Sequence, residues 1–206
     1  MDLTQLFQSQ LTGGVLEQLS QKTGINNTED TANAANAVFS TMLGAMSKNA
    51  STPEGAEALA GALDRDHDGS ILDNVMGYIT GSTQPDNPNT TNGAGILNHV
   101  LGDQQDGVLG AVSQATNLEP SKLSSMMSML APIIMGVLGK AKQTTGADAG
   151  GLSNILSSVI GGQSGDNPIM NIVTSFLDKN KDGSVMDDIL GGDLGGMLGG
   201  LFGGKK

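Results

Sequence analysis

At 206 residues the chain is long enough for one good core or two small ones, and 21 acidic against 10 basic residues leave a formal charge of −11. That balance excludes ordinary nucleic-acid binding, because phosphate contacts need clustered Lys and Arg, and the adjacent basic residues are confined to Lys205-Lys206. Zero cysteines exclude a disulfide framework, a thiolate zinc site and a cysteine nucleophile, and two histidines are left for acid–base work.

The opening residues Met1-Asp2-Leu3-Thr4-Gln5-Leu6 lack the basic and apolar regions of a signal peptide, so cytoplasm is the default expectation; unconventional export would leave no such mark. No transmembrane segment is expected. The nearest stretch, Met126 to Gly139, holds Ser128 and Pro132 and has the length of a buried core helix. With 31 glycines and 2% aromatics, the core must be built from Leu, Met, Ile, Val and Ala, and each helical glycine costs roughly 1 kcal/mol against alanine.

Leu3, Leu6, Phe7 and Leu11 follow helical spacing until Gly13-Gly14, and Val15, Leu16 and Leu19 make a second short helix ending near Gly24. Asn27-Thr28-Glu29-Asp30 caps a long helix to about Lys48, with Ala35, Val38, Phe39, Met42, Leu43 and Met46 on its buried face. Ser51-Thr52-Pro53-Glu54 starts another helix, which runs through Ala56, Leu59, Ala60 and Leu63 into an acidic stretch. Ile71, Leu72, Val75, Met76 and Ile79 form the helix that leaves it.

That acidic stretch reads L-D-x-[DN]-x-D-G-S-apolar-apolar-D and occurs twice, at Leu63–Asp73 and at Leu177–Asp187. Oxygen side chains at alternate positions, closed by a glycine that tolerates positive φ, are what a chain uses to wrap a hard cation. The candidate ligands are Asp64, Asp66, Asp68, Ser70 and Asp73 in the first copy, and Asp178, Asn180, Asp182, Ser184 and Asp187 in the second. Calcium is the expected ion, magnesium being disfavoured by its demand for tight octahedral geometry. The glutamate that closes an EF-hand is replaced by Val75 and Ile189; a shorter loop could let Asp73 and Asp187 close the cage, and without them affinity should fall in the ~10⁻⁴–10⁻³ M class. The alternative is that each Asp-Gly is a helix-to-helix turn whose aspartates cap the outgoing helix. His67 is expected on an outward-facing loop position, solvated, and His99 in an apolar segment, partly buried.

Residues 81–94 are rich in Pro, Asn, Thr and Gly and read as a linker. Beyond it, residues 107–114 echo residues 14–21, a helix capped at Glu119-Pro120-Ser121 follows, and Pro132 should kink that helix. An added apolar segment over residues 146–165 precedes the second acidic copy. The plan is an internal duplication: a first helical repeat at 1–80, the linker at 81–94, a second repeat at 95–190, and a Gly-rich tail at 191–206. The tail keeps Leu194, Met197, Leu198, Leu201 and Phe202 at helical spacing, a pattern suited to forming a helix against a surface.

With its GAEALAGALDRDHDGSILDNV and LSSMMSMLAPIIMGVLGK stretches, the chain resembles a bacterial family of unknown function with YidB-like relatives, from Leu3 to about Lys140. The resemblance implies an all-helical fold and carries no activity or binding residues. No nucleophile-elbow or phosphate-loop pattern is present, so the chain reads as a non-enzyme. The expectation is an all-α, multihelical protein of two related halves, each with an EF-hand-like D-x-[DN]-x-D-G loop, that binds calcium in a structural or assembly role. The alternative is homotypic assembly or docking of a protein partner without metal, with the Gly-rich tail supporting a homo-oligomer.

Overall fold

The computed structural model describes residues 2–162, and among them every regular element is helical. In chain order these are α1 (Leu3–Gln10), α2 (Gly13–Thr23), α3 (Thr28–Asn49), α4 (Pro53–Asp66), α5 (Val75–Thr80), α6 (Gly93–Leu101), α7 (Gln105–Thr116), α8 (Pro120–Thr145) and α9 (Ala149–Gly162). Short 3-10 turns at Ser70–Asn74, Pro88–Thr91 and Gly102–Gln104 join them.

The caps sit where the side-chain oxygens direct them. Asn27 Oδ1 accepts the Asp30 N–H at 2.7 Å and opens α3; Thr52 Oγ1 accepts the Gly55 N–H at 3.1 Å and opens α4, with Pro53 in its first turn. Left-handed residues close four of the described helices: Gly24 after α2 (φ 70°), Gly81 after α5 (φ 81°), Asn117 after α7 (φ 55°) and Gly146 after α8 (φ 64°).

The long helices α3 and α8 pack on each other at the centre, and neither has a simple amphipathic stripe, because both are covered on most sides. Around them one contiguous core gathers residues from Leu3 in α1 to Leu156 in α9, so side chains from both sides of residues 81–94 share the same interior. Phe7 of α1 stacks on Phe39 of α3, with ring centroids 4.3 Å apart and planes 8° from parallel. By length and composition α8 could cross a membrane, but 72% of its most apolar window is buried inside the protein, which makes it the core helix.

α8 runs unbroken through Pro132. The proline lacks an N–H, so the Ser128 carbonyl loses its usual helical donor. Gly93, the first residue of α6, lies directly against that carbonyl, where a Cβ would overlap the oxygen. The missing donor in α8 therefore lies where the start of α6 comes against it. Two short-range patterns recur along the chain. Ser20 Oγ donates to the Ile25 carbonyl and Ser113 Oγ to the Leu118 carbonyl, both at 2.6 Å, and Thr23 and Thr116 each bond back one turn at 2.7 Å.

Candidate functional site

The first acidic stretch begins inside a helix. α4 continues through Asp66, so Asp64 and Asp66 occupy its last turn and project about 200° apart around the axis. Each finds a different partner. Asp64 Oδ1 accepts from Lys142 Nζ at 2.6 Å; the lysine side chain is 14% exposed and the aspartate 60%. Asp66 Oδ1 accepts the Asn87 amide at 2.8 Å and the Asn89 amide at 3.4 Å, with Arg65 3.9 Å away. The Asn87 bond, outweighing opposed desolvation, holds the Asp66 carboxyl below its ordinary range.

Asp68 turns back on its own chain. Its Oδ1 accepts the Ser70 N–H at 2.9 Å, and the Ser70 hydroxyl and N–H together hold this carboxyl low as well. Gly69 takes the left-handed turn expected of it, at φ 95°. Asp73 is exposed in the 3-10 turn that follows. Among the described residues, no three histidines, aspartates or glutamates converge as a metal-binding set. The second copy, Asp178, Asn180, Asp182, Ser184 and Asp187, and the tail lie outside the described residues.

His67 departs from expectation. It is 5% exposed, not solvated, and its Nδ1 is buried without a hydrogen-bond partner. The reason lies in α8: Gly136 and Gly139 clear one strip of that helix, and the chain at residues 67–71 settles onto it. A Cβ on Gly139 would fall on the His67 carbonyl, and one on Gly136 on Ile71 Cγ2. Burial pushes the His67 imidazole below its ordinary 6.5, against the opposing pull of Asp66 and Asp68.

Beside this loop lies an open cleft of about 280 Å³. Leu59, Ile96, Val100 and Met135 form its apolar floor, and Arg65, Asp66, His67, Asn89, Asn92 and His99 its polar wall. Both histidines of the chain thus meet in one cleft, although 32 positions separate His67 and His99 in sequence. No serine, threonine or tyrosine lines it among the described residues, so it holds no hydroxyl nucleophile to set beside an imidazole.

The sequence family described as "Bacterial protein of unknown function (DUF937)" matches residues 5–141. The chain belongs to that family. The match covers well over half of this DUF937 protein, takes in the first acidic loop and the cleft beside it, and ends before α9. It does not extend to the finer YidB-like naming. Comparison with curated proteins and with solved structures finds no match to the chain.

Sequence reasoning missed the partners of the loop. Asn87 and Asn89 lie in the stretch read as a linker, and Lys142 lies 78 positions from Asp64. One readable signal was the Gly136-x-x-Gly139 spacing, which clears one face of a helix for close approach.

Proposed function

We propose that this DUF937 protein is a non-enzymatic helical scaffold in which the first acidic loop is a structural latch holding the end of α4 against α8. The observation that carries the reading is the separate engagement of its acids: Asp64 with Lys142, Asp66 with Asn87 and Asn89, and Asp68 with Ser70. In the scaffold reading the protein acts by docking a protein partner or a second copy of itself, and the tail at 191–206 contributes to that contact. The decisive experiment is a pair of thermal melts, in millimolar calcium and in EDTA, for the parent and for Asp66→Ala. The latch predicts one melting temperature for the parent in both buffers and a lower one for Asp66→Ala in both. A rise in calcium that Asp66→Ala abolishes would replace the latch with a cation site.

A calcium-binding role remains the second reading, supported by the D-x-D-x-D-G-S order and the left-handed Gly69. For it to hold, the last turn of α4 must unwind so that Asp64 and Asp66 come to one side.

The scaffold reading includes two related halves, with α2 paired to α7, α3 to α8 and α4 to α9. Buried positions agree in register along the central pair, as at Val38 and Leu130, Met42 and Ile134, Gly44 and Gly136, and Met46 and Leu138. Thr52 and Asp148 both accept the N–H three residues on, at 3.1 and 2.8 Å. The packing repeats as a two-fold exchange would make it: α4 lies on α8 as α9 lies on α3, and α2 and α7 each pack on both α3 and α8. In this register α9 is the counterpart of α4, whereas the sequence pattern suggested an added segment.

A further inference from the structure

We infer that the cleft between α4 and α6 is a binding site for a small free carboxylate with a short hydrocarbon body. The site stands beside the scaffold reading and does not depend on it. α4 and α6 form its two sides and α8 its base, since both helices pack on α8. Along α6 and its cap, Asn92, Gly95, Ile96, His99 and Val100 recur at i, i+3, i+4, i+7 and i+8, so one helix face lines the cleft from end to end. Leu59 and Met135 complete the apolar floor. At about 280 Å³ the cleft lies at the small end of ligand pockets, which run ~300–1,000 Å³, so its ligand has a body of a few carbons and not a lipid chain.

The spare hydrogen-bonding groups decide the head group. The chain has one arginine and two histidines, and all three line this cleft. Arg65 is 73% exposed and its ion pair with Asp66 is long, 3.9 Å from Nε, so the guanidinium fork is available. Asp66, the acid of the wall, is already engaged, because its Oδ1 accepts the amides of Asn87 and Asn89. Asn92 uses its Oδ1 on the Gly95 N–H at 3.0 Å, which leaves its NH₂ as a donor. His67 has a buried Nδ1 without a partner, an exception in folded proteins, and a ligand oxygen entering beside it would supply one. Spare donors therefore outnumber spare acceptors, and a planar carboxylate is the group an arginine fork takes through two parallel bonds. The formal charge of −11 works against anions at long range, so recognition is local and weak, with a Kd on the order of 1 mM.

Hexanoate is the probe. Isotope-labelled full-length protein is titrated with sodium hexanoate at constant ionic strength, and NMR shifts are read at the amides of Gly95, Ile96 and His99 and at the Arg65 Nε–H. Hexanol and hexylammonium, of the same chain length, are the controls. The expected result is saturable shifts for hexanoate at an affinity at least about fivefold above either control, and a loss of about fivefold or more in Arg65→Gln. That side chain is exposed, so the variant keeps the fold, and Arg65→Lys, which retains the charge without the fork, recovers only part of the affinity. Equal binding of hexanoate and hexanol, or Arg65→Gln binding as the parent does, overturns the carboxylate. Tighter binding of hexylammonium gives the head group to Asp66 and overturns it as well. A short peptide ending in a free isoleucine tests the other source of the same chemistry; saturation by the peptide and not by hexanoate overturns the free ligand in favour of a protein C-terminus. Shifts that fail to saturate with either up to about 50 mM overturn the site.

Discussion

Gly139→Ala should destabilise the protein although the position is in the middle of a helix. By propensity, alanine there is worth about 1 kcal/mol over glycine. Opposing this, the new Cβ would fall on the His67 carbonyl and lie 3.4 Å from the Asp68 carbonyl carbon. Both are backbone atoms, so no side chain can swing away and the loop must shift as a unit. Overpacking of this kind costs roughly 1–3 kcal/mol. The net expectation is a loss of up to about 2 kcal/mol, which for a chain of this size lowers the melting temperature by up to roughly 8 °C. Gly107→Ala and Gly110→Ala supply the control, since both sit in α7 with no heavy atom within 4 Å of the added carbon. Each should gain about 0.5–1 kcal/mol. Thermal melts followed by circular dichroism compare the three. A Gly139→Ala protein melting above the parent, with the gain expected of the α7 controls, would refute the seating of the loop on α8.

The buried His67 makes stability fall on the acid side. Its folded pKa lies below the unfolded 6.5, so the contribution is complete above that value. It declines by about 1.4 kcal/mol per pH unit as pH falls towards the folded pKa; chemical denaturation of the parent and His67→Leu between pH 5 and 8 should show this slope in the parent and lose it in the variant. Asn87→Ala should raise the Asp66 carboxyl pKa towards its ordinary value, because the leading bond that holds it down is removed; carbon-detected NMR titration reads the shift. Asp64→Asn should cost under about 1 kcal/mol, since the carboxylate facing Lys142 is largely exposed, and a urea melt in low salt measures it. Deleting residues 191–206 should lower the mass seen by light scattering if the tail joins copies of the chain, and an unchanged mass would remove the tail from the assembly reading.

The sequence was sufficient for most of the helices and for the ends that carry a cap. Asn27 and Thr52 are good caps wherever the chain puts them, Gly24 and Gly146 stop a helix by taking left-handed φ, and the apolar spacing of α3 and α8 marks both as core. These are interactions within a few residues, so local order fixes them. The acidic loop was legible as a motif, but its use was not. A helix that extends three residues past Leu63, through Asp66, turns Asp64 and Asp66 away from each other. Their partners then come from 21 and 78 positions away. His67 shows the same limit, because its burial depends on two glycines of α8 lying beneath it. Which carboxylate meets which donor is decided by how helices cross. That depends on side-chain volumes summed over the whole core, and no short stretch of sequence contains it.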